Sequence, residues 1–280
     1  MASTPPYLVR VHLKEDAVVS DEYPFSLPIV RGLDIEFAST VTFFVGENGT
    51  GKSTVIEAIA ALCRLPVSGG GRNELSGIHG PDTVSPLAAA LRPSFRQRPS
   101  DAYFLRAEFQ AHIASLLDER NADPDFWGDP YARYGGRSLH TRSHGEAFLA
   151  IMQNRIRSGL LLFDEPESAL SPQRQLALLA QMSMLVATGT SQFIIATHSP
   201  ILLTFPGAQI LSFDGDVLHP ISIEETSHFQ ITKGILQNPA VYWKHLQESG
   251  AAQEEPVANR PRKSKSPQMC RSSPSGSDRS

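Results

Sequence analysis

Short apolar runs recur along the chain and predict the strands of a sheet. Residues 7–14 alternate apolar and polar side chains, as a half-buried strand does. Residues 33–37 form a second candidate. The runs 41–45, 160–163 and 193–197 are apolar apart from one threonine in each of the first and third, which is typical of parallel strands buried on both faces. The pattern therefore predicts a mixed sheet with a buried parallel centre.

Helical periods separate these runs. From residue 52 to 65 the apolar residues follow a helical period, and Pro66 ends it. Residues 171–188 predict a second helix, with Pro172 in its first turn. Because this helix lies between the runs 160–163 and 193–197, the three form a strand–helix–strand unit. The fold class predicted is α/β.

The C-terminal third carries a hairpin and a final helical segment. Asp214 and Gly215 lie between apolar runs within residues 209–223, which is a hairpin signal. Residues 231–246 predict a helical segment that is broken near Pro239. The sequence shows no internal repeats.

Composition divides the chain into a body and a tail. We expect one domain over residues 1–248, with residues 66–142, rich in Gly, Pro and Arg, as an inserted and partly helical lobe outside the sheet. Residues 249–280 lose their apolar positions and predict a disordered Ser/Pro-rich tail. The tail carries six basic and three acidic residues, which gives it a charge of +3. Because the whole chain has a net charge of −4, the body has a charge of −7. An acidic body disfavours a broad nucleic-acid surface.

Cysteine usage and hydropathy indicate the compartment. Cys63 and Cys270 are the only cysteines and lie far apart, so we expect no disulfide framework and a reducing compartment. No run reaches eighteen apolar residues, and the N-terminus lacks the pattern of a secretory signal. The expected location is cytoplasmic, with no membrane span.

A glycine-rich loop follows the apolar run 41–45 and precedes the predicted helix. It matches the pattern G-x-x-x-x-G-K-[ST], in which backbone N–H groups cradle phosphates at a helix N-terminus. Lys52 is expected to reach the β- and γ-phosphates, and Ser53 to bind Mg²⁺. The residues predicted to bind the nucleotide here are Gly46, Glu47, Asn48, Gly49, Thr50, Gly51, Lys52, Ser53 and Thr54.

Two acids follow the buried run 160–163. Asp164 is expected at the carboxyl end of a strand, where α/β sheets bind ligands, and there it would support Mg²⁺. Glu165 is the candidate that polarises the attacking water. Such a pair can also simply cap the next helix. Its occurrence after a glycine-rich phosphate-binding loop (a P-loop) favours catalysis.

The order GENGTGKST (46–54), SHGE (143–146), LLLFDEPE (160–167), SALS (168–171) and ATHS (196–199) resembles the ATP-binding cassette (ABC) class of ATPases. The likeness is closer to soluble members described as predicted AAA-family ATPases, and it covers roughly residues 7–246. It implies a P-loop NTPase fold with an ABC-type nucleotide-binding domain. This fold has a mixed central sheet, an N-terminal antiparallel β part and a helical lobe. Its ligands would be ATP and Mg²⁺.

The resemblance also implies which residues contact a nucleotide bound by a second subunit. Ser143, Gly145 and Glu146 look like the signature segment, which contacts the γ-phosphate of a nucleotide held by the other subunit. The pattern is altered, with Arg142, His144 and Glu146 at its first, third and fifth places. SHGE can alternatively be a plain helix cap.

The resemblance implies four further features. His198 resembles the switch histidine, and Ser168–Ser171 the loop that communicates between subunits, with Ser171 replacing the usual acid. Tyr23 and Phe25 are the candidates for stacking on adenine. The Mg²⁺-sensing glutamine has no clear match; Glu108 and Gln110 are its candidates.

The leading hypothesis is a soluble ATPase that hydrolyses MgATP in a nucleotide-sandwiched homodimer, with an unidentified protein partner. One alternative is the motor subunit of an ABC transporter, which the altered signature disfavours. Another is a compact DNA repair or defence ATPase, which the acidic body disfavours and the basic tail favours. A nucleotide switch without turnover is disfavoured because Asp164 and Glu165 are both present.

Overall fold

The computed structural model describes residues 4–72, 74, 85–107 and 110–251, with the backbone alone at 110 and 248–251. The chain divides into two units, Met1–Lys233 and Gly234–Ser280. Residues 252–280 of the predicted tail over residues 249–280 lie outside the described residues, and so does Glu108. The single domain over residues 1–248 stays a prediction.

The strands and helices are numbered in chain order. The strands are β1 Leu8–Leu13, β2 Asp34–Glu36, β3 Val41–Val45, β4 Gly70–Gly71, β5 Leu91–Phe95, β6 Ala102–Arg106, β7 Gly159–Asp164, β8 Ser191–Ala196, β9 Gln209–Ser212 and β10 His219–Pro220. The helices are α1 Pro28–Arg31, α2 Lys52–Leu62, α3 Pro86–Ala90, α4 Gln110–Ala122, α5 His144–Ala150, α6 Pro172–Ala187, α7 Ser227–Gln237 and α8 Pro239–Ala251.

Two sheets organise the first unit. The larger has seven strands in the order β10-β9-β3-β8-β7-β6-β4, and the smaller is β2-β1-β5. Strands β9, β3, β8, β7 and β6 run parallel, whereas β10 and β4 pair antiparallel at the two edges. The smaller sheet is antiparallel. The predicted α/β fold with a mixed central sheet and an N-terminal antiparallel part is confirmed.

The central strands are buried on both faces, as their unbroken apolar runs predict. Every residue of β3, β7 and β8 is buried. Alternate side chains enter two separate cores: Phe43, Phe163 and Phe193 face one, and Phe44 and Leu162 face the other. Close packing on both faces of the sheet therefore fixes where the strand ends lie and in which direction they point.

The expectation that residues 66–142 stay outside the sheet is wrong. Strand β6 comes from this segment and pairs parallel with β7, and β5 joins the smaller sheet. The run AYFLR of β6 is short and lies between loops, yet its first four residues are buried. The helical part of the expectation corresponds to α4, which precedes 3₁₀ turns at Ala132–Tyr134 and Leu139–Thr141.

A buried glutamine joins the two sheets. Gln192 on β8 is fully buried, and its Oε1 accepts hydrogen bonds from the backbone N–H groups of Tyr7 (2.8 Å) and Leu8 (2.9 Å). Its Nε2 donates to the Leu8 carbonyl oxygen at 2.8 Å. One side chain thus satisfies three backbone groups at the start of β1.

We expect Gln192→Leu to lower the free energy of unfolding by about 3 kcal/mol or more, because it leaves buried backbone groups without partners. Urea denaturation measures this change. Gln173→Leu, on the exposed side of α6, is the matched control and should change stability by less than about 0.5 kcal/mol. Equal effects of the two substitutions would contradict the proposed role of Gln192.

Candidate active site

The strand order brings three loops to one edge of the larger sheet. Strand β8 lies between β3 and β7, and Ala196 is in register with both Phe44 and Asp164. Because these strands are parallel, the segments that follow them leave the sheet side by side. They are the glycine-rich loop after β3, the segment that begins with the acidic pair at the end of β7, and the loop with His198 after β8.

The glycine-rich loop, residues 46–54, needs glycine for its shape. Gly46, Gly49 and Gly51 all have positive φ. At Gly51, which precedes α2, a Cβ would also lie 3.0 Å from Leu27 Cδ1. The first helical bond of α2 runs from the Val55 N–H to the Gly51 carbonyl oxygen. The preceding amides lie at the positive end of α2, where anions bind.

The side chain of Lys52 folds back over the first residues of the glycine-rich loop. Its side chain is buried, and Nζ donates to the carbonyl oxygens of Gly46 (2.6 Å) and Glu47 (2.8 Å). Burial lowers the pKa of Lys52, against the opposing effect of nearby carboxylates. The ammonium group is therefore held beside the amides of the loop.

Ser53 and Asp164 join the glycine-rich loop to the acidic pair. The Ser53 hydroxyl donates to Asp164 Oδ1 at 2.9 Å, and Arg106 Nη2 lies 3.3 Å from Asp164 Oδ2. Asp164 is only 4% exposed, and burial raises its pKa to about 6 even though Arg106 and Ser53 act in the opposite direction. Two residues predicted to act at one metal are thus in direct contact.

Glu165 adopts an unusual backbone conformation, with φ 47°. Its N–H still donates to the Ala196 carbonyl oxygen at 3.0 Å, so the residue is fixed to the end of β8. Its half-exposed carboxylate lies 3.5 Å from His198 Nε2. A non-glycine residue in the left-handed region costs about 1–2 kcal/mol, and such residues cluster at functional sites.

His198 is held from two sides. Its backbone N–H donates to Glu167 Oε1 at 2.5 Å, and its Nδ1 lies 2.7 Å from Nε2 of His228 on α7. Burial lowers the pKa of His198, and the charges of Lys52 and His228 lower it further. The ring is therefore neutral near pH 7.

The signature-like residues form a separate cluster at the start of α5. The Ser143 N–H and hydroxyl both donate to Glu146 Oε2 at 2.9 Å, and Arg174 Nη1 donates to Ser143 Oγ at 3.3 Å. A Cβ on Gly145 would clash with Arg174. Among the described residues, no hydrogen bond joins this cluster to the glycine-rich loop.

The adenine candidates occupy different environments. The Tyr23 hydroxyl lies 2.7 Å from Thr54 Oγ1, and the side chain is 68% exposed. Phe25 is buried in the core with Val55 and Ile56. The side chains of the candidate magnesium sensors, Glu108 and Gln110, lie outside the described part of the chain.

Two residues of the site were missed from the sequence. Asp214 Oδ1 accepts from the Glu47 N–H at 2.8 Å, and Arg106 contacts both Asp164 and Glu57. The sequence pattern marks Asp214 only as a hairpin residue. Arg106 ends β6, which the sequence did not predict, so no strand end marked its position.

The residues present are suited to Mg²⁺. Ser53 and Asp164 offer the hard oxygen ligands that this ion prefers, already at hydrogen-bond distance from each other. Within the described ranges, no three His, Cys, Asp or Glu side chains are grouped to hold a metal by themselves. Mg²⁺ commonly binds with one or two protein oxygens while phosphate and water complete its shell, so this arrangement is compatible.

Two family models match parts of the chain. Residues 25–85 match a model described as "AAA domain", and residues 146–204 match one described as "AAA domain, putative AbiEii toxin, Type IV TA system". The matches contain the glycine-rich loop and the acidic pair, respectively. They bear out the resemblance to proteins described as AAA-family ATPases. No curated protein sequence matches the chain significantly.

Similar solved structures include cbiO1 from Clostridium perfringens, part of the ABC transporter complex cbiONQ. It is 17% identical, with a TM-score of 0.44, over 86% of this chain and 99% of that one. The SMC head domain from Thermotoga maritima is 16% identical, with a TM-score of 0.39, over 77% and 98%. An ATP-binding cassette of an ABC transporter is 15% identical, with a TM-score of 0.44, over 85% and 98%. In the described part of the chain, no helix has the length and apolar character needed to cross a membrane.

The raised pKa of Asp164 gives a pH-dependent prediction. Since the folded-state pKa of about 6 exceeds the ordinary value of 3.8, the folded protein retains a proton that the unfolded chain loses. Stability therefore falls between pH 4 and 6 and stays lower above pH 6. We expect Asp164→Asn to raise the free energy of unfolding by about 3 kcal/mol at pH 7.5 and hardly at all below pH 4.

Urea denaturation of both proteins across this pH range, without nucleotide or metal, measures the difference. A gain for Asp164→Asn that is equal at pH 4 and pH 7.5 would show that the carboxyl is not destabilised by its burial.

Proposed function

We propose that this protein is a cytoplasmic ATPase that binds MgATP at residues 46–54 and hydrolyses it to ADP and phosphate. The observation that carries the proposal is the contact between Ser53 and Asp164, which joins a phosphate-binding loop to an acidic pair. The AAA-domain matches at residues 25–85 and 146–204 support nucleotide binding and hydrolysis in general terms. Cys63, a buried free thiol, suits a reducing compartment.

The loop would hold the phosphates through its backbone. Successive amides before and within the first turn of α2 supply neutral donors, and the positive end of α2 favours an anion. Lys52 adds a full charge from a buried position; on binding, its ammonium exchanges the carbonyls of Gly46 and Glu47 for phosphate oxygens. A charge-assisted bond in such a site contributes about 1.5–3 kcal/mol.

Ser53 and Asp164 would hold Mg²⁺, the aspartate directly or through water. The ion supplies neutralisation of the charge that develops on the phosphates. Arg106, beside Asp164 Oδ2, keeps the carboxylate oriented toward the Ser53 hydroxyl. The carboxylate is thereby prepared in the position that the metal requires.

Glu165 would position the attacking water and accept its proton. Its carboxylate is half exposed at the end of β7, with His198 3.5 Å away on the neighbouring loop. A neutral His198 can donate from Nε2 to a phosphate oxygen while Glu165 accepts from water. The catalytic contribution of these residues is positioning and charge stabilisation, which dominate phosphoryl transfer.

A second copy of the chain would complete the site. Ser143 is exposed at the start of α5 and has no hydrogen bond to the loop of its own chain among the described residues. It would contact the γ-phosphate bound by the other copy, as would the Gly145 backbone, with Arg174 close by. Glu146 accepts from both polar groups of Ser143, so the hydroxyl must exchange this acceptor for phosphate.

Tyr23 would stack on adenine, since it is exposed next to Thr54 at the end of the loop. We expect Tyr23→Ala to weaken ATP and ADP binding alike, by about three- to tenfold, because the ring contacts the base that both share. Tyr23→Phe, which keeps the ring, should bind both nucleotides almost normally. Fluorescence titration with each nucleotide measures these affinities, and equal losses for Ala and Phe would exclude stacking.

We expect Glu165→Gln to keep MgATP binding and to lose turnover by about 10²–10⁴-fold, because an amide cannot accept the proton of water. Phosphate release measures turnover, and calorimetry measures binding. Glu224→Gln, an exposed change in the turn before α7, is the matched control and should hydrolyse ATP at the parent rate. Equal hydrolysis by Glu165→Gln and its parent would remove Glu165 from the mechanism.

The Glu165→Gln variant also tests whether two copies of the chain associate around bound ATP. Because Glu165→Gln retains unhydrolysed ATP, it should elute as a dimer from size exclusion with MgATP and as a monomer with MgADP. Adding Ser143→Arg should abolish the dimer without changing the affinity of the monomer for ATP. A monomer under all conditions would contradict the sandwiched arrangement.

A further inference from the structure

Two histidines share a proton beside Glu165. Nδ1 of His198 and Nε2 of His228 are 2.7 Å apart, and the rings meet at 62° with their centroids 4.8 Å apart. This distance is that of a hydrogen bond. Each ring places one nitrogen at this contact, so one nitrogen must donate and the other must accept.

The surroundings of His198 fix the direction of this bond. Its Nε2 is buried, makes no hydrogen bond among the described residues and lies 3.5 Å from Glu165 Oε1. A lone pair on Nε2 would face this carboxylate oxygen unfavourably, whereas an N–H is attracted to it, so Nε2 carries the hydrogen. Because the ring is neutral near pH 7, its Nδ1 has a free lone pair, and His228 Nε2–H is the donor.

His228 is itself well placed to hold this bond. It is the second residue of α7, whose start is fixed by the buried Thr226. The Thr226 hydroxyl donates to the Ile223 carbonyl oxygen at 2.7 Å and accepts from the Phe229 N–H at 3.3 Å. This cap fixes the first turn of α7 and hence the position from which His228 reaches His198.

We infer that His228 is a positioning residue for ATP hydrolysis, whose Nε2–H holds His198 in the tautomer and orientation that direct Nε2–H toward Glu165 and the bound phosphates. The inference rests on the proposed function and adds to it a residue from outside every recognised motif. His228 touches neither nucleotide nor water in this role; it acts only through His198. Without it, the Nδ1 lone pair of His198 loses its donor and the ring is free to turn.

The first test replaces His228 by Leu and by Gln. We expect His228→Leu to lower kcat about three- to tenfold, the value of one hydrogen bond, and to leave KM and the Kd for ATP within about twofold. His228→Gln retains an amide donor and should recover most of the parent kcat. His245→Leu, an exposed change on α8, is the matched control and should have the parent kcat.

The second test asks whether His228 acts through His198. In a double-mutant cycle, removing His228 from His198→Ala should cause no further loss of kcat, because the residue that it positions is absent. Single-turnover assays measure the slow variants, and thermal unfolding checks that each is folded. Additive losses in the cycle, a parent kcat for His228→Leu, or equal kcat values for Leu and Gln would each overturn the inference.

The outcomes separate this inference from the proposed function. A parent protein that binds MgATP and hydrolyses it, combined with an unaffected His228→Leu, would overturn only the role of His228. A parent protein with no hydrolysis would overturn the proposed function itself, before any variant is compared.

Discussion

The site depends on the parallel pairing of β3, β8 and β7. Register alone sets Phe44, Ala196 and Asp164 side by side, so three loops far apart in sequence leave the sheet together. The Ser53–Asp164 hydrogen bond is the point where two of these loops meet. Burial of these strands on both faces makes the arrangement rigid, and rigid strand ends are what a positioning mechanism requires.

The loops at this edge hold charges that are unfavourable in the free protein. Burial raises the pKa of Asp164 to about 6 and lowers that of Lys52, so each residue is charged at a cost in stability. Glu165 adds a strained backbone. A triphosphate with its cation offers opposite charges to both groups. Ligand binding would therefore recover part of the stability that the folded protein gives up at this edge.

The sequence predicted the parts of the site that belong to local patterns. The glycine-rich loop, the strands before it and before Asp164, and the hairpin at Asp214 all follow from spacing within a few residues. It missed β6 because its run is short and lies between loops, and with β6 it missed Arg106. The roles of His228 and Gln192 depend on contacts between residues far apart in the chain, and no single-sequence period encodes such contacts.

Calorimetry can decide whether the loop over residues 46–54 and Asp164 form one MgATP site. Titrating ATP into the protein with and without Mg²⁺ should give one saturable binding event per chain, tighter with the cation. Asp164→Asn should lose the Mg²⁺-dependent part and keep the rest. No saturable heat in the parent protein, or an affinity for ATP that does not change with Mg²⁺, would show that the two do not form such a site.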